Sequence, residues 1–235
     1  MLKAVLFDLD GTLLPMDQDE FTKTYFPHLT KKLAPYGFEP SDLIDALWKG
    51  TGLMVANDGS RTNEEVFWNY FTDRYGKDSA KYRDVFLDFY GHEFSEARKV
   101  CSVEPLAKPT VERLKDAGVR LILATNPIFP KVATELRITW AGLDPSDFEL
   151  VTTYENSCYS KPNPEYYRDI LKRCGLKAED CLMVGNDVGE DMVAAKLGMR
   201  TFLSTGCLIN RKGDDISGFR RGTFSDLSAY LDELI

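Results

Sequence analysis

The chain has 235 residues, 43% of them hydrophobic and 28% charged, the balance of an ordinary globular protein with room for one large domain or a core and a smaller second one. Its formal net charge of -8 argues against nucleic acid or an anionic membrane surface as a partner, and no apolar run is long enough to span a bilayer. The five cysteines include no CxxC pair, which fits free thiols in a reducing cytosol and excludes a zinc site, so a cytoplasmic protein is expected.

The N-terminus carries one lysine before Asp8, the pattern of neither a signal peptide nor a transit peptide. Ala4-Val5-Leu6-Phe7 reads as a strand buried on both faces, and it runs into Asp8-Leu9-Asp10-Gly11-Thr12. An unpaired carboxylate is costly inside such a strand, so the acids belong where it ends. Residues two apart on a strand point the same way, which lets Asp8 and Asp10 face one site beyond the carboxyl edge of a sheet. Asp10-Gly11 between apolar runs is equally a hairpin signal that needs no chemistry.

From Pro15 to Cys101 the pattern is helical and aromatic. Phe21, Tyr25 and Leu29 step by four, and Pro27 is expected to kink or restart that helix near Phe26. A second helix is expected from Ser41 or Asp42 through Trp48, with loops at Lys49-Gly50-Thr51-Gly52 and Asn57-Asp58-Gly59-Ser60. Thr62 and Glu65 form a capping box opening a helix with Phe67, Tyr70, Phe71 and Arg74 on one face. Tyr82, Val85, Phe86, Phe89 and Tyr90 make the cleanest amphipathic stripe. His28 and His92 have no metal-ligand partner at useful spacing and read as surface or packing residues.

Beyond Pro105 helices and strands alternate. Helices are expected at 110–117, 131–140, 164–174 and 191–197, a last helix is capped by Ser225, and strands are expected at 119–124, 149–153, 181–184 and 200–203. This alternation implies a parallel sheet with right-handed crossovers, the first strand joining it across the helical insert. The expected fold is therefore a doubly wound, Rossmann-like α/β core of residues 1–14 and 102–235, interrupted by an all-helical cap of residues 15–101.

Three further stretches fall at strand ends. Leu121 to Pro127 places Thr125 and Asn126 after a buried strand, Ser160-Lys161-Pro162 places a lysine before a helix, and Gly185-Asn186-Asp187 through Asp191 closes another strand in an acidic loop. Singly they read as a turn, a loop lysine and acids at a helix N-terminus. Together with Asp8 and Asp10 they all fall on one edge of a parallel sheet.

With these residues in view, the chain resembles the phosphatase branch of the haloacid dehalogenase superfamily. Asp8-Leu9-Asp10-Gly11-Thr12 matches the first family motif, Thr125 the second, Lys161-Pro162 the third, and Gly185-Asn186-Asp187 through Asp191 the fourth. The insert is similar to the helical cap of the first cap class. The resemblance implies magnesium-dependent hydrolysis of a small phosphate monoester through an aspartyl phosphate. Asp8 would be the nucleophile and Asp10 the general acid and base. Thr125, Asn126 and Lys161 would bind the phosphoryl group, and Asp8, Asp187 and the Asp10 carbonyl would hold Mg2+. One departure stands out: relatives commonly carry Gly-Asp where this chain has Gly185-Asn186-Asp187. Asn186 is thus a rival metal ligand to Asp187, and Asp191 is a further ligand, a water-holding residue or a helix cap. A phosphomutase acting on a sugar phosphate and an inactive metal- or phosphate-binding regulator are the alternatives. The partner implied is a small phosphorylated metabolite, with the chain a monomer or small homo-oligomer. Substrate choice is expected to rest on the cap loop from Lys49 to Arg61, whose two cations either meet a second anionic group or face solvent.

Overall fold

The structure, a computed structural model, describes residues 2–235 apart from the side chain of Ala80. Six parallel strands form one sheet in the order β3-β2-β1-β4-β5-β6. They are β1 (Ala4–Phe7), β2 (Arg120–Leu123), β3 (Leu150–Val151), β4 (Cys181–Gly185), β5 (Arg200–Ser204) and β6 (Arg220–Gly222). Alternation along the strands divides the core between two faces. Val5, Phe7, Leu121, Leu123, Leu182 and Val184 pack on one side. Ala4, Leu6, Ile122, Ala124 and Met183 pack on the other, against Tyr166, Tyr167 and Ile170. A sheet covered on both faces needs apolar residues at consecutive positions, which is what the strands carry.

β1 lies at the centre, with Phe7 in register with Leu123 on one side and Val184 on the other. The chain builds outward through β2 and β3, then returns to the far side of β1 to place β4, β5 and β6. The order reverses between β1 and β4, and the crevice at such a reversal is where doubly wound sheets receive ligands. The strands are parallel throughout, so Asp10-Gly11 does not turn a hairpin. Gly11 instead adopts a left-handed φ of 86° in the tight turn after β1.

Between β1 and β2 lie α1 (Gln18–Leu33), α2 (Pro40–Val55), α3 (Asn63–Tyr75) and α4 (Arg83–Gly91), followed by a 3₁₀ stretch, Glu93–Val100. The chain enters and leaves this insert side by side, with Ser102 N–H donating to the Pro15 carbonyl at 2.8 Å. Asp17 caps α1 through the Glu20 N–H, and the expected Thr62–Glu65 capping box opens α3. α1 runs unbroken through Pro27, contrary to the expected restart near Phe26. An internal proline costs about 3 kcal/mol, but Phe21, Tyr25, Phe26, Leu29 and Leu33 are all buried along this helix, and their burial outweighs that cost. α2 likewise extends to Val55, through the Lys49–Gly52 stretch read as a loop. Buried Leu47, Gly50 and Met54 hold its last turns in place of local propensity.

The remaining helices are α5 (Ala107–Asp116), α6 (Lys131–Trp140), α7 (Pro164–Cys174) and α8 (Phe224–Asp232). α6 and α7 have the bounds expected from the sequence. The stretch after Asp191 forms a 3₁₀ helix, Met192–Leu197, in place of an α-helix, and α8 is capped by Thr223, two residues before Ser225. β6 has no apolar signature, since its strand is Arg220-Arg221-Gly222 on the sheet edge. No helix of the described residues is long and apolar enough to cross a membrane.

Candidate active site

The ladders of β1 decide where Asp8 sits. Its N–H donates to the Val184 carbonyl at 2.9 Å, and the Ala124 N–H donates to the Phe7 carbonyl at 2.7 Å. The residues that follow β1, β2 and β4 therefore leave the sheet at one level. Asp8, Asp10, Thr125, Asn126, Asn186, Asp187, Glu190 and Asp191 all line one cavity of roughly 280 Å³ at that edge.

Lys161 reaches the same point from the loop after β3. Its ammonium donates to Asp8 Oδ1 at 2.8 Å and to Asp191 Oδ1 at 2.6 Å. The lysine side chain is 1% exposed and Asp191 is equally enclosed. Burial disfavours the charged lysine, but the Asp191 and Asp8 carboxylates outweigh it and hold its pKa well above the ordinary value. Burial also pushes the Asp8 carboxyl up against the pull of Lys161, and it raises Asp191 to about 7. One cation thus faces two carboxyl groups that compete for it.

Asp191 does not cap the 3₁₀ helix that follows it. Its Oδ2 accepts the Asp187 N–H at 2.9 Å while Oδ1 holds Lys161, so it ties the fourth segment to the third. Gly185 makes this possible: a Cβ there would lie 2.1 Å from Asp191 Oδ2. The Asn186 side chain is buried and engaged with its surroundings, donating to the Cys207 carbonyl at 2.7 Å and accepting from Thr12 Oγ1 at 3.2 Å. It packs where a Cβ on Gly11 would stand, 2.2 Å from its Nδ2. Asp187 differs. Its Oδ1 accepts the Gly189 and Glu190 N–H groups, and its Oδ2 has no hydrogen-bond partner among the described residues.

Thr125 is buried with its carbonyl doubly held, by Thr152 Oγ1 at 2.7 Å and by the Tyr166 hydroxyl at 2.8 Å. Its own hydroxyl finds no partner among the described residues, although it lines the cavity. That hydroxyl is a donor left free for a ligand oxygen in the cavity. Asn126 is engaged, donating to Glu190 Oε2 at 3.1 Å and accepting the Lys161 N–H at 3.2 Å. Burial pushes Glu190 up to about 8.

Magnesium takes oxygen ligands, typically one or two carboxylates with waters and a substrate phosphate oxygen. No group of three or more His, Cys, Asp or Glu side chains suited to a metal occurs among the described residues. The donors at hand fit the smaller set: the Asp8 and Asp187 carboxylates and the Asp10 carbonyl are all hard oxygens at one cavity, and the local charge is negative.

Arg137 of α6 has no counterpart in the sequence reading. It is fully buried, its guanidinium forms an ion pair with Asp10 Oδ2, and it lies 4.3 Å from the centre of the Phe129 ring. Asp10 Oδ1 is buried without a partner. A lone arginine among Ala133, Thr134 and Ile138 on the inner face of a helix was the only signal available. Lys49 and Arg61 do not line the cavity, and Lys49 pairs with Asp45 at 3.1 Å on α2.

A family model of haloacid dehalogenase-like hydrolases matches residues 2–198. Among similar proteins, pyrophosphatase PpaX of Bacillus velezensis is 27% identical over 198 residues, covering 84% of this chain and 81% of that one. Glyceraldehyde 3-phosphate phosphatase of Methanocaldococcus jannaschii is 28% identical over 209 residues, covering 86% and 84%. The crystal structure of a HAD phosphatase from Thermococcus onnurineus superposes with a TM-score of 0.59 at 24% identity, covering 98% of each chain, a likeness of fold.

Proposed function

The chain belongs to the haloacid dehalogenase-like hydrolases, in their phosphatase branch, and we propose that it hydrolyses a small-molecule phosphate monoester with magnesium, through a phosphoryl group carried on Asp8. The observation that carries this reading is the Lys161 ammonium, buried behind Asp8 and Asp191 and bonded to both, two acids that line one cavity with the unpartnered Thr125 hydroxyl. Phosphatase relatives support it, since two proteins matching most of this chain act, by their names, on a pyrophosphate and on a phosphorylated aldehyde.

A phosphate monoester is a dianion, so an approaching carboxylate is repelled unless the charge is compensated. Lys161 contributes one positive charge at the attacking group itself. Asp8, Asp187 and the Asp10 carbonyl would hold magnesium, which when bound adds positive charge and draws on a substrate phosphate oxygen. Thr125 donates its hydroxyl to a phosphoryl oxygen. Asp8 Oδ2 attacks phosphorus as the bond to the leaving oxygen breaks, giving an aspartyl phosphate. Asp10 gives a proton to the leaving oxygen, then takes one from the water that attacks the aspartyl phosphate; inorganic phosphate departs and Asp8 is regenerated. Residues 15–101 act as the cap that keeps bulk water from the transfer.

The test is phosphate release from a panel of phosphate monoesters with magnesium. Turnover should require the metal and disappear in Asp8→Asn. Release that persists at the wild-type rate in Asp8→Asn, or no release from any ester by the magnesium-loaded wild type, would overturn the reading.

A further inference from the structure

The cavity that holds the acids continues among the helices of the insert, where its walls are aromatic. Phe26 of α1, Trp48 of α2, Phe67 and Trp68 of α3, and Phe86 and Tyr90 of α4 all line it. Most of this wall is buried, Phe26 at 8% exposed and Trp68 and Phe86 at 4%. Its charge is one-sided. Besides the acids at the sheet edge the cavity is lined by Asp19, and among its lining residues only Arg211, exposed beyond β5, is a cation. Lys161 and Arg137 are fully buried and already paired with carboxylates.

A leaving group bearing its own carboxylate or phosphate would have to bring that charge against an aromatic wall and a row of acids. A desolvated anion without a cationic partner is strongly disfavoured. An uncharged ring meets the opposite situation, because aromatic faces stack on it and its burial removes apolar area from water. The size agrees: an apolar cavity of about 150 Å³ holds a benzene ring, and roughly 280 Å³ leaves room for one ring and a phosphoryl group. Polar handles are present but neutral. Burial pushes the phenols of Tyr25 and Tyr90 above their ordinary range, so both stay protonated, and neither hydroxyl has a hydrogen-bond partner among the described residues.

We propose that the insert half of the cavity is a leaving-group site for an uncharged aromatic or arylalkyl group, and that it discriminates against substrates with a second anionic group. This rests on the reading of the sheet-edge residues as a phosphoryl site and narrows it to a substrate class.

The experiment measures binding of three non-hydrolysable phosphonates to the magnesium-loaded protein by calorimetry, with the quenching of tryptophan fluorescence alongside. Benzylphosphonate carries the ring, phosphonoacetate carries a second anion, and methylphosphonate carries the shared head group alone. Benzylphosphonate should bind at least about tenfold tighter than phosphonoacetate. Thr51→Lys, which sets a cation on the cavity wall from a half-buried position of α2, should shrink that ratio by about tenfold or more. Phosphonoacetate binding as tightly as benzylphosphonate overturns the proposal, as does a ratio untouched by Thr51→Lys. If methylphosphonate binds while the other two rank in reverse, only the leaving-group assignment falls. If none of the three binds and no ester is turned over, the phosphoryl-site reading falls with it.

Discussion

Replacing Arg137 by methionine removes a buried guanidinium and leaves its partner in place. The Arg137 side chain is fully enclosed and that of Asp10 is 18% exposed, so the carboxylate left behind is mostly cut off from water. Breaking a buried ion pair by deleting one partner costs about 3–5 kcal/mol, and the partial exposure of Asp10 favours the lower end, about 3 kcal/mol. In a chain of this size that is a fall of about 6–12 °C in Tm, or about 1 M in the urea midpoint for a slope of about 2.5 kcal/mol/M. Asp10→Asn in the same background should restore much of the loss, because no lone charge is then buried, giving a coupling of about 2–3 kcal/mol in the double-mutant cycle. The kinetic signature is separate. A carboxylate held in one position matters most when the leaving oxygen needs a proton, so Arg137→Met should lower kcat on an alkyl phosphate more than on an aryl phosphate with an acidic phenol, with Arg137→Lys recovering part of it. A loss below about 1 kcal/mol with no coupling to Asp10 would refute the energetic reasoning. Equal losses on both esters would refute the positioning.

Asp8→Asn should abolish turnover, by about 10³-fold or more as removal of a nucleophile does, yet leave thermal stability unchanged or higher. The cluster of Asp8, Lys161 and Asp191 sets two enclosed carboxyl groups against one ammonium, and this substitution removes one of the competing acids. Circular-dichroism melting alongside the activity assay checks both halves. Lys161→Met leaves two enclosed carboxylates facing each other and should lower stability by about 3–5 kcal/mol, read as a shift of the urea midpoint. Asn63, fully buried at the start of α3, donates to the Pro127 carbonyl and to Ser160 Oγ at 2.9 Å each and accepts from Asn57 Nδ2 at 2.8 Å. Asn63→Ala strands those groups and should cost about 1–3 kcal/mol. Because this contact fastens the insert to the loops after β2 and β3, faster amide exchange in α3 should accompany the loss.

Much of this protein is readable from local pattern. The strands declare themselves because a sheet covered on both faces needs unbroken apolar runs, and α6 and α7 because their buried faces recur with the helical period. Asp8, Thr125 and Asp187 stand at strand ends for the same reason, since polar groups cannot continue a buried strand. What local pattern misjudged was set by neighbours distant in sequence: α1 passes through Pro27 and α2 through two glycines because the faces they bury outweigh the propensity against them. β6 was invisible because an edge strand of two arginines and a glycine buries no apolar run.

The site divides along the same line. Residue type and spacing by themselves determined which side chains could gather at one sheet edge, because in a parallel sheet every strand ends on the same side. Only the tertiary structure decided their pairings: Lys161 between Asp8 and Asp191, Arg137 on Asp10, and an aromatic wall assembled from four helices. Each joins residues with no periodic relation in the chain, so their proximity follows from how the helices pack and the strands cross, and no local pattern records it.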